Sequence, residues 1–450
     1  MLQHIPARTV KILVIALLIS TLLVIIQQTG QADRILHSTI GTSSSGSSEK
    51  QKPKPHYKPK EVAVPPPIRD PFPLLANTQQ PLPPIPQYNV PRKDLYKEYG
   101  LGIAPPLLIG FTRSWPMLLQ TVVSYITAGW PAEQIYVVEN TGVHRANKHD
   151  QLTLQHPRYL NHTSLQRLGV NIIQTPVLLT FAQLQNFYLS ISQDMDWPYY
   201  FWSHMDVLAL SHENGFENLT VRAGEEGYKT VYALCLEALR ETLDNDHRWG
   251  ARLFAYDHLT LQNPKALEDV GGWDTLIPFY MTDCDMYSRF AMRNWTQEDR
   301  NAGVITDTAS HLHDLVALYH DPSVVPAMED PNPMVEVAEP RQTKRDQLSS
   351  SSASLSLDEN IEYWKALLQT SDHMFHHKHG GRGRNTWQDG QRGGYGEPYY
   401  YDAAGFTEAL EVLTEAGKEV YRRKWGHQNC DLIGGGGLRF EDQWLVEKDY

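Results

Sequence analysis

Between residues 107 and 256 the chain alternates short apolar runs with longer amphipathic ones, and this alternation limits its possible folds more than any other feature. Leu107-Leu108-Ile109-Gly110-Phe111-Thr112 is an apolar run of strand length. Ser114 follows as a helix cap with Pro116 in the first turn, and Trp115, Leu118, Leu119, Val122 and Ile126 recur at helical spacing as far as Gly129. Gln134-Ile135-Tyr136-Val137-Val138 is the next strand, closed by Glu139-Asn140-Thr141-Gly142. Strand, helix and strand at this spacing read as a right-handed crossover in a mainly parallel sheet. The pattern continues with a strand at 170–173 and a helix marked by Phe181, Leu184, Phe187, Tyr188 and Ile191. A strand at 199–202, a helix around 226–243 and a strand near 252–256 complete it. The fold predicted is α/β, a mainly parallel sheet flanked by helices.

The N-terminus predicts a compartment. Arg8 and Lys11 precede an apolar run at 12–26 broken only by Ser20 and Thr21. With Val10 and a snorkelling Lys11 the run reaches about 17 residues, the lower limit for a helical span, which suits a thin early-secretory membrane. Positive charge lies before the run and none lies at 27–33, so the N-terminus is expected in the cytoplasm and the rest in the lumen. A cleaved signal peptide has the same charge order, but no small-x-small site follows in Gln27-Gln28-Thr29-Gly30. The formal net charge of -12 disfavours nucleic acid as a partner.

The organisation expected is a cytoplasmic tail at 1–9, a transmembrane anchor at 10–28 and a disordered stalk rich in proline and serine at 29–100. A catalytic domain at 101–325, a linker at 326–358 and a helical appendage at 359–450 follow. Helical spacing returns at 405–425 through Phe406, Leu410, Leu413, Val420 and Tyr421. The tract 373–396, with His376, His377 and His379, reads as a mobile loop, any metal binding there being adventitious. Cys235, Cys284 and Cys430 allow at most one disulfide. Sequons begin at Asn161, Asn218 and Asn294.

Four stations carry chemistry. Glu139 stands at a strand end, and His204-Met205-Asp206 follows the aromatic strand. Val270-Gly271-Gly272-Trp273-Asp274 precedes Thr282-Asp283-Cys284-Asp285-Met286-Tyr287-Ser288-Arg289, and His311-Leu312-His313-Asp314 comes last. In this order, over roughly 107–319, they resemble a family 2-like glycosyltransferase with the GT-A (Rossmann-like) fold, of the fungal single-pass type II membrane kind. The resemblance implies a nucleotide-diphosphate sugar as donor and a glycan, protein or lipid as acceptor, in the Golgi or ER lumen. Glu139 and Asp206 would hold the nucleotide. His204, Asp206 and His313 would hold Mn²⁺ or Mg²⁺, which offsets charge on the leaving diphosphate.

Gly272, Trp273, Asp274 and Asp285 would form the acceptor side, and Asp283 would be the base that takes the acceptor's proton. A helix N-terminus favours an ionised carboxylate there. Asp285 and Arg289 fall at i and i+4, where they can pair. Two positions depart from the family pattern: His204 stands where an aspartate is usual, and Thr282 where a glutamate is usual. Each station also has a plain structural account: a strand-end turn, a polar strand end, a capped helix with a surface ion pair, and an isolated His-x-His. Two rivals follow. One is a non-catalytic lumenal carbohydrate-binding or scaffolding relative. The other is a metal-dependent lumenal hydrolase using His204, Asp206, His311 and His313. The run 434–437 lacks the lysine of a phosphate loop, and Trp425-Gly426-His427 with Cys430 reads as a packed lid.

Overall fold

The computed structural model describes residues 56–57, 67–77, 79–329, 355–380 and 393–447. The expected anchor and most of the expected linker lie outside these residues. Among the described residues no helix is long and apolar enough to cross a membrane. Val64–Tyr450 forms one compact unit, so the segment expected as an appendage is built into the same body as the sheet.

In chain order the elements are α1 (Leu95–Glu98), β1 (Leu107–Phe111), α2 (Trp115–Thr127), β2 (Ile135–Glu139), α3 (His144–Lys148), α4 (His162–Leu168) and β3 (Asn171–Gln174). Then come α5 (Phe181–Asp194), β4 (Tyr200–Ser203), β5 (Val207–Leu210), α6 (Val231–Asn245), β6 (Trp249–Phe254), β7 (Leu259–Gln262) and α7 (Pro264–Val270). The last are α8 (Thr282–Met292), β8 (Thr296–Arg300), β9 (Val304–Asp307), α9 (Leu357–His379) and α10 (Ala403–Trp425). Seven strands form one sheet in the order β3-β2-β1-β4-β7-β6-β8, in which β7 runs against its two neighbours and the other pairings are parallel. A second sheet pairs β5 with β9 antiparallel.

Side-chain alternation in the strands builds the two layers of the core. Leu107, Ile109 and Phe111 of β1 pack on one face with α2 and α6, while Leu108 packs on the other with α5, α7 and α8. β4 divides likewise, Phe201 to the first face and Tyr200 and Trp202 to the second. Both faces are covered, which is why these strands read as continuous apolar runs. Every residue of α2 is buried, its polar side chains included. Those polar groups hold the loop after β4. Thr121 Oγ1 lies 2.7 Å from Met205 O and 2.8 Å from Val207 O, either of which can take its one proton, and it accepts from Val207 N at 3.2 Å, pinning the backbone on both sides of Asp206.

Two expectations need correction here. Ser114 does not cap α2 through its side chain; its backbone sits at φ 68 and its N–H donates to Pro157 O. Within 67–100 the expected stalk is packed structure. Phe72, Leu75 and Leu95 are buried in the main core, and Arg167 donates to the carbonyls of Leu74, Leu75 and Asn77. Proline there shapes short turns whose intervening apolar residues find a groove, a tertiary effect that composition does not report.

Candidate active site

A cavity of about 580 Å³ lies beyond the carboxyl ends of the parallel strands. Thr112 and Arg113 after β1, Asn140 after β2, His204 to Asp206 after β4, and Tyr256 to His258 after β6 all reach its wall. Loops at this edge of an open α/β sheet converge by topology, so residues far apart in sequence face one space. Gly110 on β1 keeps the floor open: a Cβ there would lie 2.6 Å from Leu184 Cδ2 and collide with the Tyr188 hydroxyl.

Asp206 is buried (7% exposed) and meets Lys378 Nζ at 2.7 Å. The same ammonium lies 3.0 Å from Asp307 Oδ2, because β5 and β9 pair with Val207 opposite Asp307. His379 Nε2 is 3.0 Å from Asp307 Oδ1, and His258 Nε2 is 3.5 Å from Asp307 Oδ2. Burial is the largest influence on both carboxylates and opposes their charge, but Lys378 with His204 lowers the pKa of Asp206 overall, and Lys378 with His379 and His258 brings Asp307 to about 2. Burial likewise opposes the Lys378 charge, and the two carboxylates more than restore it. His204 stacks on Phe181 and faces Asp257 Oδ1 at 3.6 Å. Burial disfavours its charged form, yet Asp257 first and Asp206 next raise its pKa overall. His258 is lowered, chiefly by burial.

Across the cavity Asp283 stands in the first turn of α8 and accepts a 2.6 Å hydrogen bond from the Tyr256 hydroxyl. Two arginines also line the space: Arg113 lies 4.3 Å over the Phe406 ring, and Arg158 lies 4.2 Å over the Tyr401 ring while donating to Thr141 O. Phe406, Leu410 and Leu413 of α10 give the wall an apolar side. Among the described residues, Gln185 Oε1, Trp202 Nε1, His258 Nδ1 and Thr282 Oγ1 are buried polar atoms of the lining without a hydrogen-bond partner. Such atoms suit a polar ligand.

The structure brings together His204, Asp206 and Asp283 and separates the other expected site residues from the cavity wall. The Glu139 carboxylate is fully buried among Thr141, Asn147, His162 and Gln174, which all bond to it within 3.2 Å. Its neighbour Asn140 lines the cavity instead. His313 pairs with Glu329 at 2.6 Å on the surface, and His311 donates to Leu312 O; neither lines the cavity, since 311–313 is not a strand.

Gly271 and Gly272 make the turn that ends α7, with φ of 84 and 73. Asn186 clamps it, accepting from Trp273 N at 2.7 Å and donating to Trp273 O at 2.8 Å. Trp273 itself is buried. Asp285 pairs with Arg289 as its spacing anticipates, at 2.7 Å, but also with Lys424 and the Trp425 indole of α10. Lys424 reaches Asp274 as well, and Cys284 is disulfide-bonded to Cys430, leaving Cys235 free and buried.

Sequence reasoning missed Asp257, Asp307, Lys378, His379 and the two arginines. Asp257 and His258 carry a usable signal, as polar residues directly after a predicted strand. Lys378 carries none. It sits in the His-rich tract read as a mobile loop, and 373–379 proves to be the last turns of α9, capped at its start by Ser356 and Glu359 and packed through Leu367 and Met374.

A metal set of His204, Asp206 and His313 does not form, and among the described residues no group of three or more His, Cys, Asp or Glu is arranged to hold a metal ion. The residues present therefore do not fit Mn²⁺ or Mg²⁺. No protein-family model matches the chain, and no curated protein matches it. Among solved structures, a mannosyltransferase from Pyrobaculum calidifontis in complex with GDP-mannose and Mn²⁺ has 10% identity and a TM-score of 0.30. That match covers 47% of this chain and 61% of the mannosyltransferase. A cytidylyltransferase from Leptospira borgpetersenii serovar Hardjo-bovis has 11% identity and a TM-score of 0.28, covering 60% of this chain and 96% of its own. Likeness this slight carries no functional argument, and the chain stands as a mixed α/β protein whose mostly parallel seven-stranded sheet opens onto one acidic and basic cavity.

Proposed function

We propose that this chain is a glycosyltransferase that takes a sugar from a nucleotide-diphosphate donor within the cavity and passes it, with inversion, to a glycan, protein or lipid hydroxyl. One observation carries the reading. The loops after four strands bring Arg113, Asn140, Asp206 and Tyr256, and the first turn of α8 brings Asp283, to one cavity of about 580 Å³, the size range of a small-molecule site. Arg113 and Arg158 are the residue type suited to phosphate oxygens. Asp283, oriented by Tyr256, takes the acceptor proton as the acceptor oxygen attacks the anomeric carbon and the nucleoside diphosphate leaves with the bonding pair.

The proposal extends to location, a single-pass type II protein with this unit in the Golgi or ER lumen. The Cys284–Cys430 disulfide and the exposed sequon residues Asn218 and Asn294 support an oxidising, glycosylating compartment. Mn²⁺ or Mg²⁺, which the family resemblance implies, forms no part of this reading, since no set of residues arranged to hold it occurs among the described residues. The full-length protein in detergent, given a panel of UDP- and GDP-sugars, should release nucleotide from one donor, and Asp283→Asn should not. A folded protein that binds no nucleotide sugar would favour the non-catalytic carbohydrate-binding reading, to which the pairing of Asp206 with Lys378 already lends weight.

A further inference from the structure

Two carboxylates on paired strand ends, facing a cavity that takes a charged ligand, form the start of a divalent-cation site. In this protein a cation already stands between them. Lys378 Nζ lies 2.7 Å from Asp206 Oδ2 and 3.0 Å from Asp307 Oδ2. Its side chain is 4% exposed, yet the residue is part of the cavity wall.

The lysine is delivered by a fixed element. Leu367 and Met374 of α9 are fully buried in the main core, and Ser371 Oγ bonds Thr306 Oγ1 of β9 at 3.1 Å, one residue before Asp307. The acid pair is held from the other side: Thr308 N donates to Asp206 O at 2.7 Å, and Thr121 fixes the backbone around Asp206. Mn²⁺ or Mg²⁺ needs oxygens at about 2.0–2.2 Å in a near-octahedral shell, which the ammonium position denies to this pair.

We propose that Lys378 is the resident cation of this site, that Asp206 and Asp307 form a lysine seat and not a metal seat, and that the cavity meets its diphosphate ligand without a divalent ion. An ammonium carries three N–H donors. Two serve Asp206 and Asp307, leaving one for a phosphate oxygen. His379, on the same helix end, meets Asp307 Oδ1 through Nε2 at 3.0 Å and holds that carboxylate in place. Arg113 and Arg158 supply further positive charge along the cavity. The proposal rests on the donor-site reading above for the identity of its ligand, but the cation seat is testable without any donor.

The test is Mn²⁺ binding followed by electron paramagnetic resonance on metal-stripped full-length protein in detergent, with folding checked by circular dichroism. Wild type should leave Mn²⁺ free at 1:1 stoichiometry and ~100 µM. Lys378→Ala should uncover the carboxylates and bind one Mn²⁺ at least about tenfold more tightly. Adding Asp206→Asn should abolish that gain, and Lys378→Arg should behave as wild type. One bound Mn²⁺ on wild type, lost in Asp206→Asn, would overturn the proposal. So would a folded Lys378→Ala protein that gains no Mn²⁺. Should Lys378→Ala fail to fold, the wild-type and Asp206→Asn arms decide alone. A protein that binds no nucleotide sugar in any form defeats the transferase reading instead, an outcome separate from the Mn²⁺ result.

Discussion

Replacing Lys424 with methionine removes a buried positive charge that two carboxylates share. Lys424 Nζ lies 2.8 Å from Asp274 Oδ2 and 2.6 Å from Asp285 Oδ1, with the side chain 3% exposed. The two carboxylates lose unequal amounts. Asp285 keeps Arg289 at 2.7 Å and the Trp425 indole N–H at 2.8 Å. Among the described residues, the Asp274 carboxylate keeps the Leu276 N–H as its hydrogen-bond donor, at 3.0 Å. Breaking a buried pair costs about 3–5 kcal/mol; with Asp285 still compensated, the lower end applies, about 3 kcal/mol. Methionine keeps the packing of the lysine stem, so the loss is electrostatic. At about 2.1 cal/mol/K per residue over roughly 390 residues, 3 kcal/mol lowers the melting temperature by about 4 °C. Circular dichroism melts of the full-length protein in detergent read this directly. Lys424→Met with Asp274→Asn should melt about 1–2 °C above the single variant, because the stranded charge is gone. A single variant that melts with wild type, or a double that melts lower still, would refute the reasoning.

Two pH-dependent predictions concern buried carboxyl groups whose pKa values shift in opposite directions. Burial pushes Glu213 up to about 8, with Tyr88 and Asn89 donating to it at 2.8 and 2.7 Å. Nearby His320 does not neutralise it, since burial brings that imidazole down to about 4. With the folded pKa above the unfolded value near 4.5, Glu213 contributes fully below pH ~4.5 and its contribution is lost as pH rises through 8. Glu213→Gln should therefore gain on wild type in urea midpoint between pH 5 and 8.5; parallel midpoints would contradict this. For Glu139, burial opposes the charge, but hydrogen bonds from His162, Asn147 and Gln174 outweigh it and hold the pKa below the usual range. Its stabilisation is present above pH ~4.5 and lost as pH falls through the folded pKa. Glu139→Gln should cost about 1–3 kcal/mol at pH 7, a gap that closes under acid; a gap independent of pH would count against it.

Legibility followed burial. The runs at 107–112, 134–138 and 199–202 announce themselves because parallel strands covered on both faces need apolar residues at every position. The helices carrying Phe181 and Phe406 show their period for the converse reason, since one face meets solvent. The pairing of Asp285 with Arg289 was readable because it is local. The partners that complete the site were not. Asp307 comes beside Asp206 through a strand pairing across a hundred residues, and Lys378 arrives from a helix beyond a segment with no pattern. The position of His313 shows the reverse error, as a two-residue spacing aligns side chains only within a strand, and 311–313 is not one. Residues 67–100 misled through composition. Proline-rich sequence looks unable to bury apolar area, yet Phe72 and Leu75 use a groove that the rest of the fold supplies.

The central claim is that Asp283 draws a proton from an acceptor hydroxyl while the sugar leaves its diphosphate. It is tested most directly by proton NMR of the anomeric signal during turnover of whichever donor the full-length protein uses, in wild type and in Asp283→Asn. The account predicts a product of opposite anomeric configuration, formed at least about 100-fold more slowly by Asp283→Asn, the range for removing a general base. Retention of configuration, or turnover that survives in Asp283→Asn, would contradict it.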